Sequence, residues 1–120
     1  QLGHLVRITE DVIRQGFTPG LSFAFPPKTA NDAKAPPTSD DPAAFATKAE
    51  LLAGWEALVD ALIAGVRGKS DEELSKPSPE AYRGWAPTLG ELALAQAFHM
   101  VMHVGQIQSI RRKLGKKVLF

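Results

Sequence analysis

The sequence has no cysteine among its 120 residues. Disulfide-stabilised scaffolds, cysteine-ligated zinc fingers, iron–sulfur proteins and cysteine nucleophiles are therefore excluded. An excess of charge of one sign is also lacking, because 14 Lys and Arg residues against 13 Asp and Glu residues leave a formal net charge of +1. A chain balanced in this way has no general attraction to nucleic acid or to an anionic membrane surface.

A membrane span and a signal peptide are missing from the sequence pattern. The most apolar stretch, residues 89–110, is interrupted by one glutamate, two histidines and three glutamines. This composition predicts a core helix rather than a membrane span. The start of the chain lacks the basic and apolar regions of a secretory signal. We therefore expect a cytoplasmic protein without a membrane partner.

The overall composition is that of a soluble globular chain, with 44% apolar and 22% charged residues. The length predicts a single domain, residues 1–120. The chain begins at Gln1, without an initiator methionine and already in a helical pattern. This start is what an N-terminally truncated domain would show.

Helical periodicity marks two segments of the first 66 residues. Apolar residues recur at helical spacing over residues 2–13, and Gly16 and Pro19 predict the end of this helix. A second helix is predicted from about residue 48 to residue 66, behind the capping box Thr47-x-x-Glu50. Its broad apolar stripe is expected to be buried: Leu51, Leu52, Trp55, Leu58, Val59, Leu62, Ile63 and Val66. Between the two helices, residues 17–46 hold six of the nine prolines and predict a long irregular connection.

The third predicted helix is the longest and covers residues 89–114. The capping box Thr88-x-x-Glu91 opens it and Gly115 closes it. Ser70-x-x-Glu73 predicts one further short helical turn. The fold class is therefore all-α. Three amphipathic helices do not close a bundle, so we expect a fourth helix to be either absent from this chain or supplied by a second copy.

Histidine is scarce, with three copies: His4, His99 and His103. His99 and His103 are four residues apart, which places them on one helix face about 6 Å from each other, a spacing at which two imidazoles can share a metal ion. Such a pair alone is more often structural than ligating. His4 lies at the edge of the apolar face of the first helix. Three imidazoles from two helices would form a site with positions left for water or substrate, which is the catalytic pattern.

A motif on the third helix, His99-Met-Val-Met-His103-Val-Gly-Gln106 followed by Ile110-Arg-Arg-Lys-Leu-Gly115, resembles the last-helix signature of the DinB-like (YfiT-like) superfamily. Those proteins are four-helix bundles regarded as metalloenzymes. Gly3-His4-Leu5 resembles the head of the family's second helix, which supplies the first of three metal-binding histidines. The resemblance implies a DinB-like four-helix bundle whose first helix is missing here, with His4, His99 and His103 as metal ligands.

The same resemblance implies an activity, because members include metal-dependent transferases and isomerases that use a low-molecular-weight thiol. We expect a divalent-metal-dependent enzyme whose three-histidine site activates a thiol or water nucleophile, and in particular a thiol-dependent S-transferase with a small-molecule substrate. Zinc, nickel and iron all accept imidazole, so the sequence does not choose between them. A homodimer is expected from the resemblance and from the missing helix. The alternative is a non-catalytic metal-binding or dimerisation module.

Further residues are candidates for supporting roles around such a site. Gln96 and Gln106 share the histidine face and are expected to orient a ligand or water, and Asp11 to accept the distal N–H of His4. Gly105, inside a helix, predicts a close approach by another element. Five aromatic residues either line a pocket over the metal or, more commonly for such positions, anchor loops on the core: Phe17, Phe23, Phe25, Tyr82 and Trp85. The basic run from residue 111 to residue 117 is explained mainly by the helix dipole, so nucleic acid is not expected as a partner.

Overall fold

The computed structural model describes residues 2–23 and 46–118. These ranges contain five α-helices: α1 (Leu2–Val12), α2 (Lys48–Arg67), α3 (Asp71–Leu74), α4 (Glu80–Arg83) and α5 (Leu89–Lys113). A π-helical turn, Ile13–Phe17, continues α1. The described residues form no strand, and they confirm the all-α prediction. Most of the proline-rich connection, together with Phe25, lies outside the described residues.

The starts of α2, α3 and α5 confirm the predicted capping boxes. In each, a Ser or Thr side chain accepts a hydrogen bond from the backbone N–H three residues ahead, and a glutamate reaches back to the cap. This arrangement satisfies N–H groups that the first turn of a helix leaves without partners. Among the described residues, no helix combines the length and the apolarity needed to cross a lipid bilayer.

The end of α5 also follows its sequence signal. Gly115 has a φ of +64°, which glycine adopts without steric cost. The N–H of Gly115 donates to the carbonyl of Arg112 at 3.0 Å, and the N–H of Lys116 donates to the carbonyl of Arg111 at 2.9 Å. These two bonds form a Schellman motif, which ends the helix where the sequence predicts.

The first helical segment runs one residue past Gly16, to Phe17, and ends before Pro19, as the sequence predicts. The chain continues through the π-helical turn, in which the N–H of Thr18 donates to the carbonyl of Ile13 at 2.8 Å. Gly16 lies inside this turn against α5, since a Cβ placed there would be 3.3 Å from side-chain carbons of Leu89 and Leu92. The π-helical turn also places both of its end residues, Ile13 and Phe17, in the core. The last turn of this helical segment is therefore also part of the core.

The core lies where α1 and its π-helical turn pack between α2 and the first turns of α5. Gly65 allows the close approach on the α2 side, because a Cβ at this position would lie 2.9 Å from the Cβ of Phe17. The buried cluster draws on α1, the π-helical turn, α2, α4, the α4–α5 connection and α5: Val6, Val12, Ile13, Phe17, Leu58, Leu62, Tyr82, Ala86 and Leu92. Burial of these apolar side chains is the main stabilising term available to the fold.

The apolar stripe of α2 is only partly covered, so the prediction that all of it is buried is wrong. Leu58 and Leu62 are buried, whereas Leu52 is 40% exposed and Ile63 is 43% exposed. The packing on α2 from described elements comes mainly from α1 and the π-helical turn. These elements reach one side of the stripe, and its other side meets no cover from the described residues.

The connection between α3 and α5 is a compact turn that contains α4. The N–H of Ser78 donates to the carbonyl of Pro87 at 2.9 Å, and the Ser78 hydroxyl donates to the carbonyl of Ala86. Pro79 precedes α4 directly. The sequence did not predict this helix, because four residues are too few to show a helical period. The turn matters for the site because it presents Tyr82 towards α1.

Candidate metal centre

The three histidines, which are distant in the sequence, lie together between α1 and α5. The Nε2 atoms of His4 and His99 are 3.2 Å apart, and those of His103 and His99 are 3.0 Å apart. One ring nitrogen from each histidine lies within 4.8 Å of the other two. His103 is buried, and His4 and His99 are half-buried. The arrangement could hold one metal ion.

The distances between these nitrogens are compatible with all three binding one metal ion. With metal–nitrogen bonds of about 2.0–2.1 Å and bond angles of about 90–110°, ligand nitrogens lie about 2.8–3.4 Å apart. Both Nε2 separations fall in this range. Nε2 of His99 faces the other two Nε2 atoms, and one ring nitrogen carries at most one proton. A single hydrogen bond therefore cannot satisfy both contacts, whereas a shared cation can.

The electrostatic environment favours neutral imidazoles. Burial lowers the pKa of His4 and of His99, and the neighbouring His103 lowers both pKa values further. Removing an imidazolium from water disfavours its charged form, and a second positive charge nearby adds repulsion. The neutral imidazole is the form that binds a metal, so the site favours the ligating state of both side chains.

A buried hydrogen bond links the two helices beside the histidines. The side-chain nitrogen Nε2 of Gln96 donates to the hydroxyl of Thr9 at 2.6 Å, and both residues are buried. Gln96 lies three residues before His99, and Thr9 lies five residues after His4, so the bond fixes how α1 and α5 align at the site. Gln96 therefore contacts the opposite helix, and its predicted contact with a metal-bound ligand stays a prediction.

Asp11 does not accept the distal N–H of His4, contrary to the expectation. Its Oδ1 accepts a hydrogen bond from Arg14 at 2.6 Å, and its Oδ2 accepts bonds from Gln15 at 2.7 Å and from the Tyr82 hydroxyl. Partial burial alone would raise the pKa of Asp11, but the three hydrogen bonds outweigh it and lower that pKa. Burial, followed by the bond to Asp11, raises the pKa of Tyr82. The Asp11 carboxylate therefore holds Tyr82 in place, and it does not hold a histidine.

Gln106 and Gly105, which the sequence analysis also singled out near the histidines, lie on the outside of α5. Gln106 is exposed, and no hydrogen bond among the described residues joins it to the trio. A Cβ placed on Gly105 would meet nothing within 4 Å. The close approach predicted at this glycine is therefore not made by any residue that the structure describes.

A pocket of about 550 Å³ opens beside His4 and His99. Tyr82 and Trp85 lie on its wall with their rings in an edge-to-face contact, 5.8 Å between centroids. No charged side chain is among the described residues that line it, and the remaining wall is largely apolar: Ile8, Ala95, Gln96, Phe98 and Met102. An apolar group of a ligand fits such a surface.

The aromatic residues singled out from the sequence divide between the two roles. Trp85 and Tyr82 line the pocket, although Tyr82 is also part of the core, and Phe17 and Phe23 pack in or against the core. The pocket residues Phe98 and Met102 were missed by the sequence analysis. The sequence could have indicated them by position: Phe98 directly precedes His99 and Met102 follows it by three residues. Both therefore lie beside the histidine face of α5.

Comparison with known proteins identifies the family. A family model described as the DinB superfamily matches residues 1–107. The chain belongs to the DinB superfamily. The matched range contains all three histidines, and membership confirms the resemblance that the motifs on α1 and α5 indicated. Searches of curated proteins and of solved structures find no match to the chain.

The pair Tyr82–Asp11 gives this DinB-superfamily chain a pH-dependent contribution to stability. Tyr82→Phe keeps the buried ring but removes the hydrogen bond to a carboxylate. Because Asp11 is partly exposed, we expect a loss of about 1 kcal/mol in the free energy of unfolding at pH 7. The pKa of Asp11 is lowered in the folded state. Its contribution is therefore present above the ordinary aspartate pKa of about 3.9 and is lost as the pH falls through the lower folded value.

Urea unfolding at pH 7 and pH 3 measures this effect. The difference between wild type and Tyr82→Phe should shrink at the lower pH. Trp85→Phe, a change on the same pocket wall without a carboxylate partner, serves as the control and should show no such pH dependence. An equal loss for Tyr82→Phe at both pH values would contradict the assignment.

Proposed function

We propose that this DinB-superfamily protein is a divalent-metal-dependent enzyme in which His4, His99 and His103 hold the metal. The observation that carries the proposal is the convergence of three ring nitrogens, within 4.8 Å of one another, from two helices. Zinc, nickel and iron all fit this donor set. Three neutral ligands leave the charge of the ion uncompensated, so a bound divalent ion would lower the pKa of a thiol or water towards neutrality.

The pocket supplies the rest of a site for group transfer, and we propose a thiol-dependent S-transferase. In this reaction a thiolate sulfur forms a bond to an electrophilic carbon, and the leaving group departs with the electron pair of the bond that breaks. Trp85, Phe98 and Met102 would pack against the small-molecule substrate and exclude water from it. Gln96 donates its N–H to Thr9, which leaves its carbonyl oxygen to orient a polar group of the substrate.

A second candidate is a non-catalytic metal-binding or dimerisation module. The observation in its favour is the set of large apolar side chains that α5 leaves exposed, among them Leu94, Phe98 and Val101. Exposed apolar surface of this kind is typical of an interaction face. In that case the histidines would stabilise the helix pair through a metal without serving a substrate.

Titration of the cobalt-loaded protein with thiols separates the two candidates. Cobalt(II) accepts the same imidazole ligands as the proposed metals, and a thiolate bound to it adds charge-transfer absorption in the near ultraviolet. We expect this absorption to appear and saturate with a small aromatic thiol such as phenylmethanethiol. The control is the His99→Ala variant, which should show no saturable change. Wild-type protein that holds one cobalt per chain but never binds a thiol would favour the non-catalytic module.

A further inference from the structure

The apolar pocket beside the histidines has a polar end at Tyr82. Tyr82 lines this pocket, and its hydroxyl donates a hydrogen bond to Oδ2 of Asp11. Asp11 in turn lines a second pocket, of about 350 Å³, whose described wall residues are mostly charged. Ile8 belongs to both walls, so the two pockets are neighbours. The Tyr82–Asp11 bond therefore connects the apolar pocket to the charged one.

This polar end is separated from the histidines by two helical turns. His4 and Asp11 lie on the same side of α1, because seven residues at 100° each return to within about 20° of the starting direction. The same seven residues span about 10 Å along the helix axis. On α5 the pocket wall runs from Ala95 to Met102, which is also about 10 Å. A ligand that lies along this wall reaches from the histidine site towards Tyr82.

The Tyr82 hydroxyl can accept a further hydrogen bond, but its proton is already engaged. The proton is donated to Asp11, and burial together with this bond raises the pKa of Tyr82, so the hydroxyl stays protonated near neutral pH. Among the described residues, none donates a hydrogen bond to the Tyr82 oxygen. Because a hydroxyl oxygen also has acceptor lone pairs, the ligand group complementary to it is a hydrogen-bond donor.

Asp11 fixes the direction of this acceptor. Its carboxylate is itself held by Arg14 at 2.6 Å and by Gln15 at 2.7 Å. Turning the Tyr82 proton towards the pocket would break a hydrogen bond to a charged group, which is stronger than a neutral one. An ether or carbonyl oxygen of a ligand would therefore meet only lone pairs at this point and would lose its bond to water without replacement.

We propose that Tyr82 is a specificity-determining residue, which selects substrates that carry a hydroxyl or N–H group about 10 Å, or two helical turns, from the atom bound at the histidine site. The inference rests on the proposed function, because that function places the reacting atom of the substrate at the histidines. The substrate class is an elongated apolar molecule with a hydrogen-bond donor at its far end. Its apolar body would lie against Ile8, Ala95 and Phe98.

Binding of two thiols to the cobalt-loaded protein tests this selection. In 6-mercaptohexan-1-ol an extended chain separates the sulfur from a hydroxyl by a length similar to two helical turns, and hexane-1-thiol lacks the hydroxyl. The charge-transfer absorption of the bound thiolate gives both dissociation constants. We expect Tyr82→Phe, which removes only the hydroxyl oxygen, to reduce the preference for the hydroxyl-bearing thiol about 3–10-fold, the effect of one hydrogen bond.

A shorter pair of thiols is the control within the same variant, since the chain has one tyrosine and offers no second one to change. In 2-mercaptoethanol and ethanethiol the chain is too short to reach from the histidine site to Tyr82. The ratio of their dissociation constants should be the same for wild type and Tyr82→Phe. An unchanged ratio for the long pair, or an equal change for both pairs, would overturn the proposal.

A metal-free measurement separates this inference from the proposed function. Hexan-1-ol and 1-methoxypentane have the same number of heavy atoms, but only the alcohol is a hydrogen-bond donor. The indole N–H signals in heteronuclear NMR report binding at Trp85, in the pocket, separately from Trp55 on α2. We expect Tyr82→Phe to reduce the preference of this pocket for the alcohol. If that result is obtained while the cobalt-loaded protein binds no thiol, the proposed function fails and the donor selection stands. A preference that Tyr82→Phe leaves unchanged would overturn the donor selection, whatever the metal site binds.

Discussion

Elemental analysis of the purified protein is expected to give one divalent ion per chain, and His99→Ala is expected to lose it. Nε2 of His99 lies within 3.2 Å of the corresponding atom in both His4 and His103. Its removal therefore takes away the central ligand of the three. Changes to residues that only orient metal ligands already weaken metal binding about 10–100-fold. Because His99 is itself a ligand, we expect its removal to lower the metal affinity at least about 100-fold.

The variants His4→Ala and His103→Ala should behave in the same way, because two imidazoles leave an incomplete site. Gln106→Ala is the matched control: it truncates a polar side chain on the same helix, but one that is exposed and outside the trio. It should retain the ion. Thermal unfolding gives a second measurement, since a metal that binds only the folded chain raises its stability by about 4 kcal/mol at a concentration 1,000 times its dissociation constant.

The outcome that would contradict the metal centre is equally direct. Wild-type protein that is purified without metal and then resists loading with zinc, nickel and iron would leave a helical interaction module. The enzymatic proposal would then be abandoned.

Local sequence signals predicted those parts of the fold that depend on neighbouring residues. The capping boxes at Thr47, Ser70 and Thr88 and the glycine at position 115 each act within a few residues of themselves, and the structure confirms all four. The four-residue spacing of His99 and His103 is local in the same sense. A periodic pattern in one segment is enough to place such features.

Features that depend on distant parts of the chain could not be predicted in this way. Asp11 was expected to hold His4, but it binds Tyr82, which is 71 positions away and lies on a helix too short to show a period. The stripe of α2 was expected to be buried throughout, but whether Leu52 and Ile63 are covered depends on which elements pack there. Periodicity tells which face of a helix is apolar, whereas the topology decides how much of that face is covered.

The hydrogen bond from Gln96 to Thr9 spans 87 positions, and its removal is expected to affect stability and metal binding together. Thr9→Val leaves the Gln96 amide buried without its acceptor, which should lower the free energy of unfolding by about 1–3 kcal/mol. The same bond aligns α1 with α5 at the histidines. We therefore also expect metal affinity to fall about 10–100-fold, as for other residues that orient metal ligands.

The double variant distinguishes this hydrogen bond from simple packing. With Thr9→Val and Gln96→Leu together, no buried amide is left unpaired, so the loss of stability should be smaller than the sum of the two single losses by at least about 0.5 kcal/mol. Gln106→Leu, the same change at an exposed position of α5, should alter stability by no more than about 0.5 kcal/mol. Urea unfolding and metal titration of the wild type and the four variants provide the data. Strictly additive losses would mean that the two side chains act separately, and the alignment of His4 with His99 would then have to come from the apolar contacts of α1 alone.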